Sequence, residues 1–400
     1  MRFMIQMVQC ASLITPYLLN RYHICQSEDY VISLKARYFL SKRNYSMLQN
    51  KVLLLVSVLM LTILISNPAW AKGGNRVYWI AADEVLWDYA PSFPANPMTG
   101  NEFTADERVF VEQGIGRRYL KSVYREYTAG FGAVKPRVAE EKHLGILGPV
   151  IRAAVGDRIT VHFKNNTRFP ASIHPHGVRY SKEHEGAAHS ADDKHTSGGI
   201  VKPGGKHTYI WEVPERAGPG PNDPSSIAWV YHSHVNESAD TNAGLIGPLI
   251  ISSNKEKPLA VDREFISLFT VFDENDSLYR DINLSTCTGS CDPRSEEFEE
   301  SNLKHGINGL VYGNNKGYVM RSGERVRWYI IGMGSEVDLH SPHWHGATLL
   351  HNGNRVDVTE VLPAATKTLD MQPDVKGNWM YHCHVNDHIK AGMTTTFTVE

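Results

Sequence analysis

The feature that most restricts how this chain can fold is that its pattern occurs twice. Gly145-Ile146-Leu147-Gly148-Pro149, then Val155-Gly156-Asp157-Arg158-Ile159-Thr160-Val161, leads to His174-Pro175-His176-Gly177 and on to Tyr231-His232-Ser233-His234-Val235. Gly306-Ile307-Asn308-Gly309, then Ser322-Gly323-Glu324-Arg325-Val326-Arg327-Trp328, leads to His343-Trp344-His345-Gly346 and on to Tyr381-His382-Cys383-His384-Val385. Two copies of one domain are the simplest account. Short β-rich runs at residues 76–80, 158–163, 207–213, 249–251, 264–272 and 325–331 are punctuated by Pro, Gly and Asn, and long helical periodicity is absent. That pattern predicts an all-β chain of antiparallel sandwiches. The boundary is placed in the polar stretch 252–258, giving domains over residues 72–254 and 259–400.

The repeat carries four His-x-His pairs: His174/His176, His232/His234, His343/His345 and His382/His384. On a strand, residues i and i+2 point to one side, so each pair aims two imidazoles at one place. Two pairs per copy at matching positions are hard to obtain by chance. Eight neutral imidazoles suit copper or another late first-row metal.

The second copy carries more. His340 precedes His343 by three residues, Cys383 stands between His382 and His384, and His388 and Met393 follow. One thiolate, two imidazoles and a long axial thioether form a blue-copper ligand set. Strand alternation turns the Cys383 sulfur away from His382 and His384, so a few covalent bonds join a blue site to a histidine cluster. The first copy has Ala171, Ser233 and Ser238 where the second has His340, Cys383 and His388. It can hold cluster ligands but no blue copper, so electrons must enter through the second domain.

The 41 Lys and Arg against 43 Asp and Glu give no case for nucleic-acid binding, which needs a clustered basic face. The long apolar run, residues 52–65, follows Lys51 and is closed by Ala69-Trp70-Ala71. At about fourteen residues it reads as a secretory signal peptide over residues 47–71 rather than a span, which needs ~20. Translation then starts at Met47, with residues 1–46 a non-native upstream extension; the alternative is a genuine extension with an internal anchor. The expected protein is exported, periplasmic or secreted, with no membrane segment after cleavage. Cys287 and Cys291 either close a small disulfide in an oxidising compartment or stay free.

At these residues the chain resembles the multicopper oxidase family, whose four copper motifs occur here in order from about Tyr78 to the end. The resemblance implies two Greek-key cupredoxin domains and about four copper ions per chain: one type 1, one type 2 and two type 3. In family terms His174 and His343 bind type 2 copper. His176, His232, His234, His345, His382 and His384 bind the type 3 pair, and His340, Cys383, His388 and Met393 bind type 1. A reducing substrate is oxidised at type 1 copper, and dioxygen is reduced to water at the cluster. Cys383, His382, His384 and Asp387 carry the catalytic roles. Blue copper confined to the second of two domains is similar to the small two-domain laccases, which implies a homotrimer with clusters shared between subunits.

Beyond the copper motifs, Ala81-Ala82-Asp83-Glu84-Val85-Leu86-Trp87-Asp88, Glu297-Phe298-Glu299-Glu300 with His305, and Met333-Gly334-Ser335-Glu336-Val337-Asp338-Leu339-His340 resemble the ceruloplasmin family. That implies a ferroxidase iron site of Glu300, His305, Asp387 and Glu336, the last from a neighbouring subunit. Hard carboxylates beside a blue copper suit ferrous iron; without that site a phenol is the expected donor. His184, His189, His195 and His207 read as a solvated loop, and Asp192-Asp193 as surface acids. Asp83 and Glu237 are both candidates for a proton relay. Two further classes remain as alternatives. A copper nitrite reductase carries blue copper in its first domain and lacks the eight cluster histidines; a copper electron carrier needs no cluster.

Overall fold

A computed structural model describes residues 73–189, 198–253, 261–289 and 291–400. The expected leader (1–46), signal peptide (47–71), boundary residues 254–258, His195 and Asp192-Asp193 lie outside the described residues. The described chain is mostly strand, with helices no longer than seven residues. Among those residues no helix is long and apolar enough to cross a membrane.

Strands form where branched and aromatic residues alternate with polar ones. In β4 (Arg158–Asn165) Ile159, Val161 and Phe163 are fully buried while Arg158 is exposed. It lies in a four-stranded sheet between β1 (Asn75–Asp88) and β6 (Lys206–Glu212), with β2 (Arg118–Glu126) at the edge beyond β1. β1 runs well past the expected 76–80, because its continuation pairs with β2 from Ile80 to Asp88.

The facing sheet has the order β3-β8-β7-β5, from β3 (Ile151–Ala154), β8 (Ile246–Ser252), β7 (Ser226–His232) and β5 (His174–Pro175). The later half repeats this plan. A six-stranded sheet is built on β9 (Arg263–Asp273), β12 (Val326–Gly332) and β16 (Thr366–Met371), with β10 (Leu303–Ile307) at one edge. It faces a sheet ordered β11-β18-β17-β13, from β11 (Val319–Met320), β18 (Thr394–Val399), β17 (Gly377–Cys383) and β13 (Pro342–Trp344). Among the described residues no sheet joins strands from both sides of residues 253–262.

Three apolar layers hold this together. One fills the first sandwich around Ile159, Val161, Phe163 and Trp211. Another fills the second around Trp328, Trp344, Tyr381 and Phe397. The third lies between the sandwiches, where Val230, Ile246 and Ile250 meet Ile266, Leu268, Tyr329 and Ile331. That middle layer explains why every residue of β12 is buried: Val326, Trp328 and Ile330 face the second core, and Tyr329 and Ile331 face the first sandwich. Strands covered on both faces lose polar alternation. Polar contacts cross the same junction. Arg327 donates to Ser226 Oγ at 2.6 Å, and His143 Nε2 accepts the Ile266 N–H at 3.1 Å.

Candidate metal centres

The two copies place their histidine pairs in the same register. His174 on β5 lies opposite His232 on β7, and His343 on β13 lies opposite His382 on β17. Each hairpin-like edge is fixed by the glycine after the pair. Gly177 (φ 78°) and Gly346 (φ 67°) adopt the left-handed conformation, and a Cβ there would come within 2.4 Å of the Trp229 ring and 2.7 Å of the Trp379 ring. The His-x-His-Gly spacing thus combines two inward imidazoles with a turn that only glycine fits.

Tautomers are set by acceptor-only partners. His174 Nδ1 lies 2.7 Å from the Glu185 carbonyl and His343 Nδ1 3.0 Å from the Asp357 carbonyl. His232 Nδ1 bonds the Ser233 carbonyl at 2.9 Å, and His382 Nδ1 the Cys383 carbonyl at 2.7 Å. A carbonyl can only accept, so each Nδ1 carries the proton and each Nε2 offers its lone pair. The Nε2 atoms of His176 and His232 face each other at 3.1 Å, and those of His345 and His382 do so at 3.1 Å. Donor atoms of His343, His345 and His382 all lie within 4.8 Å of one another. Burial, aided by neighbouring imidazoles, pushes His176 down to about 4; burial also holds His232 at about 4 and lowers His174, His345 and His382. The rings are therefore neutral at neutral pH, the form that binds metals. His234 and His384 complete each group, their rings 5.2 Å from His174 and 5.4 Å from His343.

On the other side of β17, His340, Cys383 and His388 converge, all buried. Cys383 Sγ is 3.6 Å from His388 Nδ1 and 3.9 Å from His340 Nδ1, and those nitrogens are 3.1 Å apart. Met393 is fully buried, and its carbonyl accepts the Cys383 N–H at 3.0 Å. The Ser341 N–H points at Sγ from 3.4 Å. Burial raises the thiol and lowers His388. One sulfur and two inward imidazole nitrogens in a dry pocket fit a copper ion, which would hold the sulfur as thiolate.

One residue that sequence reasoning did not single out joins this set. Asp338, 1% exposed, bonds His340 Nε2 at 3.1 Å from the side opposite the sulfur. The signal available was its place two residues before His340, just after a turn. Of the two relay candidates, Glu237 lies 3.3 Å from His234 Nε2 and 3.9 Å from His232 Nε2. Asp83 instead accepts from Tyr127 and Asn166, each at 2.7 Å.

The four residues named for iron are not among the three-donor groups of the described residues. The His305 ring lies 5.2 Å from that of His388, and Asp387 adjoins His388 in sequence. Glu300, Glu336 and Asp387 are exposed. His184, His189 and His207 join no three-donor group either; His184 contacts Glu183 at 3.0 Å and His189 contacts Glu185 at 3.2 Å. Cys287 and Cys291 are bridged.

Twin sandwiches whose matching edges gather imidazoles, one with a cysteine on the reverse of the ligand strand, define a copper-binding protein of the cupredoxin class. Two profiles, both described as multicopper oxidase, match residues 143–256 and 288–400. The chain belongs to the multicopper oxidase family. It is 43% identical over 353 residues to hephaestin of Homo sapiens, covering 84% of this chain and 29% of the relative. It is 43% identical over 355 residues to the ferroxidase HEPHL1 of Mus musculus, covering 84% and 29%. Identity to ceruloplasmin of Homo sapiens is 41% over 343 residues, covering 82% and 31%. The chain thus spans under a third of the length of the relatives it matches. Among solved structures, a multicopper oxidase aligns with TM-score 0.54 and 18% identity over 82% of this chain and 89% of that one. The multicopper oxidase mgLAC aligns at 0.55 and 18% over 82% and 86%. At that identity the likeness is one of fold.

Proposed function

We propose that this chain is an exported two-domain oxidase that passes single electrons from a metal-ion donor, ferrous iron foremost, to dioxygen. The observation that carries the reading is the strand ending in His382-Cys383-His384: Cys383 faces His340 and His388, while His382 meets His343 and His345 on the other side. Copper bound at these places would supply a one-electron acceptor at the sulfur and a reductant for dioxygen at the imidazoles. The chain's own share is to hold those groups on opposite faces of one strand, joined through the backbone of adjacent residues. Tautomers fixed by carbonyls remove the reorganisation that would slow electron transfer.

We assign the type 1 ligands to His340, Cys383, His388 and Met393, type 2 to His174 and His343, and type 3 to His176, His232, His234, His345, His382 and His384. The domains are residues 72–254 and 259–400. Within one chain each group of imidazoles pairs with itself, and His345 and His384 are exposed. Half-sets open to solvent support a homotrimer in which the first domain of one chain covers the second domain of the next. Export is supported by the apolar run at 52–65 and by the Cys287–Cys291 bridge.

Ferrous iron as donor is supported by the relatives named ferroxidase and by His305 packed against His388. Glu300, Asp387 and Glu336 would add anionic oxygens, which favour the ferric product over the ferrous reactant. The test is oxygen consumption with ferrous iron, cuprous copper and a bulky phenol on one preparation. Glu300→Ala with Asp387→Ala should depress ferrous oxidation at least tenfold, about 1.4 kcal/mol, and leave phenol oxidation nearly intact. Equal loss of both would mean damage to the blue site, and no loss would favour a phenol oxidase.

A further inference from the structure

His340 and His388 are backed differently. Among the described residues no carboxylate hydrogen-bonds His388, although Asp338 and Asp387 lie near enough for their charges to act on it. His340 is backed by Asp338, and that carboxylate is built into the fold. Its Oδ1 accepts the Val271 N–H at 2.6 Å as well as His340 Nε2 at 3.1 Å, and its Oδ2 accepts the Ser335 N–H at 2.8 Å. The Val271 and Ser335 N–H groups can only donate, so both carboxylate oxygens of Asp338 accept. Gly334 makes room for it: at φ 129° a Cβ would lie 2.0 Å from Asp338 Oδ2.

We propose that Asp338 is a positioning residue that sets the electron affinity of the His340–Cys383–His388 centre and thereby selects low-potential metal-ion donors over phenols. The inference rests on the reading of that centre as type 1 copper. The carboxylate fixes the ring proton on Nε2, so Nδ1 can only be a ligand. Through that proton it also makes Nδ1 a stronger base. A buried anion one ring away favours the more highly charged, oxidised metal over the reduced one, and in a pocket this dry the effect is weakly screened. The reduction potential is lowered. A ferrous ion among carboxylates is itself a low-potential donor and can still reduce such a centre, whereas a phenol of higher potential is disfavoured.

The alternative role for Asp338 is scaffolding, tying the 334–340 loop to β9. A scaffold moves copper content and stability but not potential in a fully loaded site. The test is the copper-loaded full chain with Asp338→Asn, which keeps size and removes charge. The expected result is unchanged copper per chain, retained blue absorption and a higher potential by redox titration. The ratio of phenol to ferrous kcat/KM should rise several-fold. An unchanged potential in a blue variant would overturn the proposal. Should the variant fail to fold, the wild-type protein decides: with the centre in its diamagnetic cuprous state, nitrogen-15 histidine spectra should place the His340 Nε2 proton well downfield of the His388 ring proton. Equivalent positions would also overturn it. A wild-type chain without blue absorption would instead remove the type 1 reading, and this inference with it.

Discussion

The same strand ends differently in the two halves. In the second, Cys383 looks back toward His340 and His388. In the first, Ser233 occupies the matching place and donates to Asp240 Oδ2 at 2.6 Å, and that oxygen also accepts N–H groups from Val235 and Asn236 at 3.0 and 3.1 Å. Ala171, fully buried, stands where His340 would. Burial pushes the Asp240 carboxyl up to about 6. The opposite faces of the two strands nevertheless match, with the same 3.1 Å contact between facing imidazoles. A sandwich edge can therefore keep one face for donors while the reverse is filled either by a thiol and two imidazoles or by a hydrogen-bond network.

The largest expected break in this comparison comes from Cys383→Ser, which makes the second half resemble the first. Blue absorption should vanish, one copper per chain should be lost and turnover should fall to background while far-UV circular dichroism stays unchanged. A blue, active serine variant would contradict the assignment. Separating the subunits comes next. Monomers isolated by sedimentation should keep blue absorption but consume no oxygen, because each half-set needs its counterpart; full activity in a monomer would place the cluster within one chain.

A smaller effect is expected from Ser233→Ala, which strips Asp240 of its hydroxyl donor. Denaturant unfolding of the copper-free chain should show a loss of ~1–3 kcal/mol, with blue absorption untouched. Loss of the blue centre would mean that the halves are coupled more tightly than the two pockets suggest.

The smallest concerns His143, which joins the halves. Its Nδ1 donates to the Glu140 carbonyl at 2.8 Å, and burial holds the ring at about 4. The unfolded chain protonates this ring near pH ~6.5, and the folded chain only near about 4. Within that window unfolding takes up a proton, so stability is full above the window and declines as the pH falls. Replacing His143 by Gln should make the stability of the copper-free protein less steep with pH there, by at most ~1.4 kcal/mol per pH unit. An unchanged slope would show that this ring is not the junction's acid-sensitive contact.

Much of this was legible in the sequence, because period-two side chains and doubled motifs are local signals. The strands at 158–163, 264–272 and 325–331 and the imidazole pairs are such cases. Asp338 was not, since an aspartate near a turn is ordinary until its three donors are known, and two of them, the Val271 and Ser335 N–H groups, are backbone. Neither was the contact of Glu237 with His234, which depends on which way a short helix, Glu237–Asn242, carries its first side chain. The four-residue iron set, expected from resemblance, is not gathered into a three-donor group among the described residues; Glu300 and Glu336 sit on exposed surface segments whose partners are not fixed by spacing.

The apolar layer between the sandwiches has a consequence for unfolding. Ile246, Ile250, Ile266, Leu268, Tyr329 and Ile331 are each at most 2% exposed only because both halves are present. Released from its twin, either half would bare several side chains worth ~1.5–3 kcal/mol each, a sticky face of the kind that drives aggregation. The two halves thus share one buried layer and are expected to unfold together as a single unit.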